Sequence, residues 1–100
     1  MGLGYALMEE VVLEEGCIQN VSLRNYLIPT SLDVPDIEPI VVEVENKWGP
    51  FGAKGIGEMP NIPATPAILN AIAHATGARV RSLPADPEKV FLAIHEKQEA

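Results

Sequence analysis

Phe51-Gly52-Ala53-Lys54-Gly55-Ile56-Gly57-Glu58, closed by Met59-Pro60, divides the chain into a half with β character before it and a helical half after it. Glycines at 52, 55 and 57 leave the backbone free to adopt positive φ and let its N–H groups approach a ligand with no Cβ in the way. Pro60, Pro63 and Pro66 stiffen the next segment, so Glu58 stands between a pliable stretch and a rigid one. The generic nucleotide motifs do not fit. A P-loop needs Lys-Ser or Lys-Thr after its last glycine, where this chain has Glu58-Met59, and a dinucleotide fingerprint needs a glycine where Pro60 stands. A surface loop is the commoner role for such a stretch. The sharper reading is a partly buried carboxylate serving as a general base, with open backbone beside it to admit a substrate; a helix-capping role is the structural alternative.

Upstream, Ile40, Val42 and Val44 alternate with Val41, Glu43 and Glu45, the pattern of a strand with one wet face. Pro29, Pro35 and Pro39, with Asp33 and Asp36 among them, make residues 29–39 a loop. Val21 to Ile28 extends a β region begun by Val11-Val12-Leu13 and Cys17-Ile18-Gln19. These two runs flank Glu14-Glu15-Gly16 and predict a hairpin, with Gly16 supplying the positive φ of its turn. Residues 1–10 read as a short apolar helix with Leu3, Leu7 and Met8 on one face. Gly2 and Gly4 in its first turn imply close packing, and Met1 provides no cap, so it looks like the middle of a motif.

Downstream, Thr65-Pro66 predicts a helix start, with the hydroxyl as cap, and Gly77 stands where a C′ glycine would end that helix. Ile68, Leu69 and Ile72 form its apolar stripe, while Ala67, Ala71 and Ala75 would admit a second surface. Arg79 to Leu83 reads as a short strand. Asp86-Pro87 opens a last helix in which Val90, Phe91 and Ile94 face the core. The fold class is therefore α+β: a short N-terminal helix, an antiparallel β region, the glycine loop, then two short helices with a strand between them, in a single domain over residues 1–100.

Composition bounds the function. A chain that is 47% hydrophobic and 21% charged is globular. The net charge of −7 argues against nucleic acid and anionic membranes as partners. Charge is unevenly placed: residues 1–46 carry nine acidic groups against Arg24, a balance of −8, and residues 47–100 carry five against six basic ones, a balance of +1. Cys17 is the only cysteine, which excludes an internal disulfide, an iron–sulfur cluster and a thiolate zinc site. His74 and His95 lie on separate helices without partners at ligand spacing and read as surface residues; no metal ligand is expected. No signal peptide or membrane span is legible, so the cytoplasm is the expected compartment. With five aromatics and small helical faces, the chain is expected to share its core with neighbouring structure, or to self-associate when isolated.

The stretch from Gly52 to Pro60 resembles the C-terminal end of the molybdopterin-binding large subunit of the xanthine dehydrogenase and aldehyde oxidase family. So do Pro66-Ala67-Ile68-Leu69-Asn70-Ala71-Ile72 and Thr76-Gly77-Ala78-Arg79-Val80-Arg81-Ser82-Leu83-Pro84. Gly2-Leu3-Gly4-Tyr5-Ala6-Leu7 with Glu9-Glu10, Asn25-Tyr26-Leu27-Ile28-Pro29-Thr30 and Asp33-Val34-Pro35 match the same family in the same order. The resemblance implies a molybdenum hydroxylase in which Glu58 sits beside the metal as general base, taking the proton from the metal-bound hydroxyl as its oxygen attacks an electrophilic carbon, while hydride passes to the sulfido ligand. It implies that Gly52, Ala53, Lys54, Gly55, Ile56 and Gly57 lie close to a molybdopterin-type cofactor. Iron–sulfur clusters and flavin or NAD would be carried by other domains or subunits, and the substrate would be an aldehyde or N-heterocycle.

Departures from the family limit what carries over. Its large subunit is several times longer, it usually has Gln where this chain has Met1, and Cys17 alone cannot ligate a cluster. Two functions are compatible with this: a part that completes a hydroxylase site with the remaining large-subunit domains and an iron–sulfur subunit, or a non-catalytic module that keeps the fold and binds a partner. Reading frames for the remaining domains beside the gene would favour the first, and a stable monomer from an isolated gene the second.

Overall fold

A computed structural model of the protein describes residues 1–98. Three helices and one minimal hairpin make up its regular structure: α1 (Gly2–Leu7), β1 (Leu13–Glu14), β2 (Cys17–Ile18), α2 (Ala64–Thr76) and α3 (Pro87–Gln98). Single 3-10 turns at Pro50–Gly52 and Met59–Asn61 bracket the glycine loop. The α+β class stands.

The hairpin forms where the turn chemistry puts it. Leu13 pairs with Ile18 and Glu14 with Cys17, leaving Glu15 (φ 47°) and Gly16 (φ 80°) as a turn with both central residues left-handed. Asn20 lengthens the pairing through its side chain, accepting from Val12 N at 2.9 Å and donating to Glu10 O at 2.6 Å. Cys17 is exposed.

Three expected strands are absent among the described residues. Val21 to Ile28 is broken by a turn in which Asn25 N and Tyr26 N donate to Ser22 O. Ile40 to Glu45 and Arg79 to Leu83 have no ladder partner, and an alternating segment cannot become a strand without a neighbour to receive its hydrogen bonds. Both faces of the first are exposed, Ile40 at 80% and Val41 at 82%. The 29–39 loop is held locally: the Thr30 backbone N–H and hydroxyl both donate to Asp33 at 2.7 Å, which holds that carboxyl below its usual pKa.

Helix packing is centred on small residues. Gly2, Gly4 and Ala6 are the buried face of α1. A Cβ on Gly2 would overlap that of Ala64, so the absence of one is what lets α1 pack this closely against the first turn of α2. Thr65 does not cap its helix as the sequence suggests, because α2 starts two residues earlier, with Ala64 and not Pro66 as its first residue, which places Thr65 inside the first turn, where its hydroxyl donates to Gly2 O at 3.1 Å. At the other end Gly77 adopts φ 71° and donates to Ala73 O at 2.8 Å, the expected left-handed termination. Asp86 opens α3 by accepting from Lys89 N at 2.8 Å, and Ala85 N donates to Ala6 O at 2.6 Å, tying the start of α3 to α1.

The core is small. Among the described residues its buried apolar side chains are Ala6, Ala78, Pro84 and Ala85, and no large one is fully buried. The radius of gyration, 17.8 Å, exceeds the roughly 13 Å of a compact domain of this length. Val90, Phe91 and Ile94 face an open groove of about 780 Å³ that Leu7, Met8 and Ile72 also line, and Phe91 keeps 59% of its surface exposed. Ala67, Ala71 and Ala75 are exposed, while Leu3, Leu7 and Met8 are half-buried.

Candidate active-site loop

The glycine loop is entered through a tight backbone crossing. Asn46 turns the chain by accepting from Trp48 N at 3.0 Å. Gly49 lies against the Ala53 carbonyl with no room for a Cβ, and Gly52 N and Ala53 N donate back to Gly49 O (3.2 Å) and Pro50 O (3.0 Å). Phe51 is driven into the left-handed region (φ 54°), and its ring is fully exposed, as is Trp48 at 95%. Two aromatic rings next to the loop thus have no packing partner among the described residues.

Within the loop the glycines divide by role. Gly52 is required by its own conformation, φ 78°, with Glu45 Cγ 3.1 Å from where a Cβ would stand. Gly55 and Gly57 do not use positive φ, contrary to the sequence reading, and a Cβ at either would meet nothing within 4 Å. Nothing among the described residues therefore accounts for those two glycines, and what they leave is unobstructed backbone. Ala53, Lys54 and Ile56 are exposed; Lys54 lines a shallow hollow with Glu43, Glu45 and Phe51.

Glu58 also departs from expectation, being exposed and not partly buried. Its backbone carbonyl accepts from Asn61 N at 3.0 Å as the 3-10 turn begins, but its side chain makes no capping hydrogen bond. The carboxylate is uncommitted, which disfavours the capping alternative. Its backbone is positioned from the C-terminal side: Asn61 and Ala64 abut Gly2, and Thr65 bonds to it, so the α1–α2 joint starts three residues after Glu58. One more link ties α1 to the β half. The Glu9 carboxylate covers Gly4 and accepts from the Tyr26 hydroxyl at 2.8 Å, a hydrogen bond that raises the pKa of the phenol.

Residues 53–58 are exposed, with open space at Gly55 and Gly57 and Glu58 at their end. Among the described residues no group of three or more His, Cys, Asp and Glu side chains could hold a metal ion. His74 and His95 are exposed, the latter beside Phe91 with ring centroids 4.2 Å apart. No described helix is long and apolar enough to cross a membrane. Sequence reasoning missed the Gly2–Asn61–Ala64 joint behind Glu58; the first-turn glycines signalled close packing but could not name the partner.

Comparison with known proteins is consistent across the chain. Residues 1–35 match the family model described as a molybdopterin cofactor-binding domain. The putative xanthine dehydrogenase molybdenum-binding subunit of Escherichia coli is 37% identical over 97 residues, covering 95% of this chain and 13% of that protein. A probable xanthine dehydrogenase subunit of Bacillus subtilis is 40% identical over 97 residues, covering 97% and 13%. Among solved structures, quinoline 2-oxidoreductase from Pseudomonas putida superposes with a TM-score of 0.80 at 36% identity, over 91% of this chain and 12% of that one. The chain thus spans about 13% of the length of the curated relatives it matches.

Proposed function

The chain belongs to the xanthine dehydrogenase and aldehyde oxidase family of molybdenum hydroxylases, and from that premise we propose that residues 52–58 form one wall of the hydroxylase site, with Glu58 as its general base. The cofactor of this family is a molybdopterin-type molybdenum cofactor, which when bound supplies the two-electron redox chemistry. The observation that carries the reading is the uncommitted, exposed Glu58 carboxylate at the end of a loop whose Gly55 and Gly57 face open space.

That arrangement fits a cofactor better than it fits a ligand shell. With no cluster of metal-ligating side chains among the described residues, the metal would be held by groups outside this chain. Gly55 and Gly57 would allow the pterin-bearing cofactor and the substrate to approach the backbone, as Cβ atoms at those positions would not. Lys54, exposed beside them, would supply a cationic contact, and Ala53 and Ile56 the remaining wall. Glu58 would accept the proton of the attacking nucleophile on a carboxylate oxygen, held in place by the 3-10 turn and the joint to α1. Assembly with the remaining subunit domains would cover Trp48, Phe51 and the loop, excluding water from that proton transfer.

The partners on this reading are the remaining large-subunit domains and an iron–sulfur subunit. The substrate class is an aldehyde or N-heterocycle, chosen by pocket walls outside this stretch. Metal analysis of the protein co-purified with its native partners tests the assignment: stoichiometric molybdenum in the complex and none in the 100-residue chain alone is expected. A complex without molybdenum, purified from cells that make the cofactor, would overturn it.

A further inference from the structure

Two of the chain's arginines stand together on the segment that leaves α2. Arg79 and Arg81 line one hollow of about 330 Å³, closed by Pro66, Leu69 and Asn70 of α2. Those three helical positions are spaced i, i+3, i+4 and share a face. The arginine segment is fixed at both ends. Gly77 turns left-handed into it, Thr76 Oγ1 accepts from Ala78 N at 3.1 Å, and Ala78 is buried; beyond it Pro84 and Ala85 are buried, with Ala85 N bound to Ala6 O.

Neither guanidinium has a carboxylate within ion-pair distance or a hydrogen bond among the described residues, and the Asn70 amide is equally unpartnered. The ion pair found there is Lys89 with Asp86. This is a chain with twice as many acidic as basic groups, yet Arg79 and Arg81, either side of Val80, line one hollow with no acidic residue among those that line it. Each guanidinium presents a planar fork of donors matched to the two oxygens of a carboxylate or phosphate, and Asn70 adds a neutral donor on the opposite wall.

We infer that Arg79, Arg81 and Asn70 form an oxyanion site distinct from the glycine loop. The oxyanion is either a free phosphate-type ion or the carboxylate of an acidic side chain from the polypeptide that surrounds this stretch in its longer relatives. The second source rests on the family reading; the first does not.

Two arms separate the sources. In the first, inorganic phosphate is titrated into the isotope-labelled full chain at constant ionic strength while the arginine Nε–H resonances are followed. In the second, the full chain is co-expressed with the remainder of a molybdenum-binding subunit and the salt dependence of the complex is measured. Arg79→Gln and Arg81→Gln should each weaken the response at least about tenfold in the arm that reports the true source, since a charge-assisted fork is lost. Arg81→Lys should recover only part, keeping the charge but not the fork. Arg24→Gln, lying outside the hollow, should change neither arm. Saturable phosphate binding identifies a free anion, and arginine-dependent assembly without it identifies an acidic side chain. Wild-type behaviour of both glutamine variants in both arms, or an equal loss with Arg24→Gln, overturns the site. A wild-type chain that never assembles counts against the family reading, and the phosphate arm then decides the site alone.

Discussion

Gly2→Ala should loosen the joint that supports Glu58, and the contacts around Gly2 set the size of the effect. A Cβ there would overlap that of Ala64 and stand 3.2 Å from Asn61 Oδ1 and 3.5 Å from Ala64 Cα, so it can be accommodated only if α1 and α2 separate. Overpacking of this kind costs about 1–3 kcal/mol, whereas replacing a helical glycine by alanine returns roughly 0.5–1 kcal/mol. The net loss expected is on the order of 0–2.5 kcal/mol, a range whose lower end the single variant could not tell from no effect. The double-mutant cycle with Ala64→Gly decides it. Removing the Ala64 methyl restores the space, so the two substitutions should be coupled by roughly 0.5–3 kcal/mol, with Gly2→Ala less harmful, or stabilising, in the Ala64→Gly background. Denaturant unfolding of the full chain, followed by far-UV circular dichroism, measures all four corners. Additive effects would refute the close approach of α1 to α2. So would a Gly2→Ala variant that is stabilised by the full helix-propensity gain in the wild-type background.

Gly77→Ala should destabilise by about 1–2 kcal/mol, because alanine is strained at φ 71° and its Cβ would displace the Lys97 ammonium packed there, and Gly77→Asn should cost less; thermal melts of the two variants check the order. Asp86 is held below its ordinary pKa by the backbone hydrogen bond from Lys89 and by that residue's ammonium, so it contributes stability above the unfolded-state value near 4 that is lost as pH falls through the lower folded-state value. Acid titration of the wild type should accordingly soften α3 below about pH 4, and Asp86→Asn should flatten that dependence. A wild-type profile identical to that of the asparagine variant would remove Asp86 from the account.

Local signals were legible in the sequence and long-range ones were not. The Glu15-Gly16 turn, the Gly77 termination and the Asp86-Pro87 start each depend on the conformational limits of one or two residues, and each appears where expected. Ile40 to Glu45 and Arg79 to Leu83 have strand patterns, but a strand is completed by a neighbour, and the described chain supplies none. Thr65 shows the same limit on a smaller scale: its hydroxyl could cap a helix, yet α2 begins before it at Ala64, beside Gly2, and the hydroxyl donates to Gly2 O, 63 residues away. At the candidate site the loop and its terminal Glu58 could be read from glycine spacing. Their exposure could not, because burial is set by what packs against a segment and not by its local pattern.

The central claim is that Glu58 moves a proton and does not merely shape the loop. Its side chain makes no capping bond, so Glu58→Gln should leave folding and molybdenum content of the assembled enzyme nearly unchanged. The amide keeps the size and reach of the carboxylate but cannot accept the proton, and loss of a general base is typically worth ~10²- to 10⁴-fold. Single-turnover reduction of the assembled enzyme by substrate, measured beside a thermal melt of the same preparation, is the most direct test. The account predicts a reduction rate lower by that factor at an unaltered melting temperature; a wild-type rate in a molybdenum-replete Glu58→Gln enzyme would contradict it.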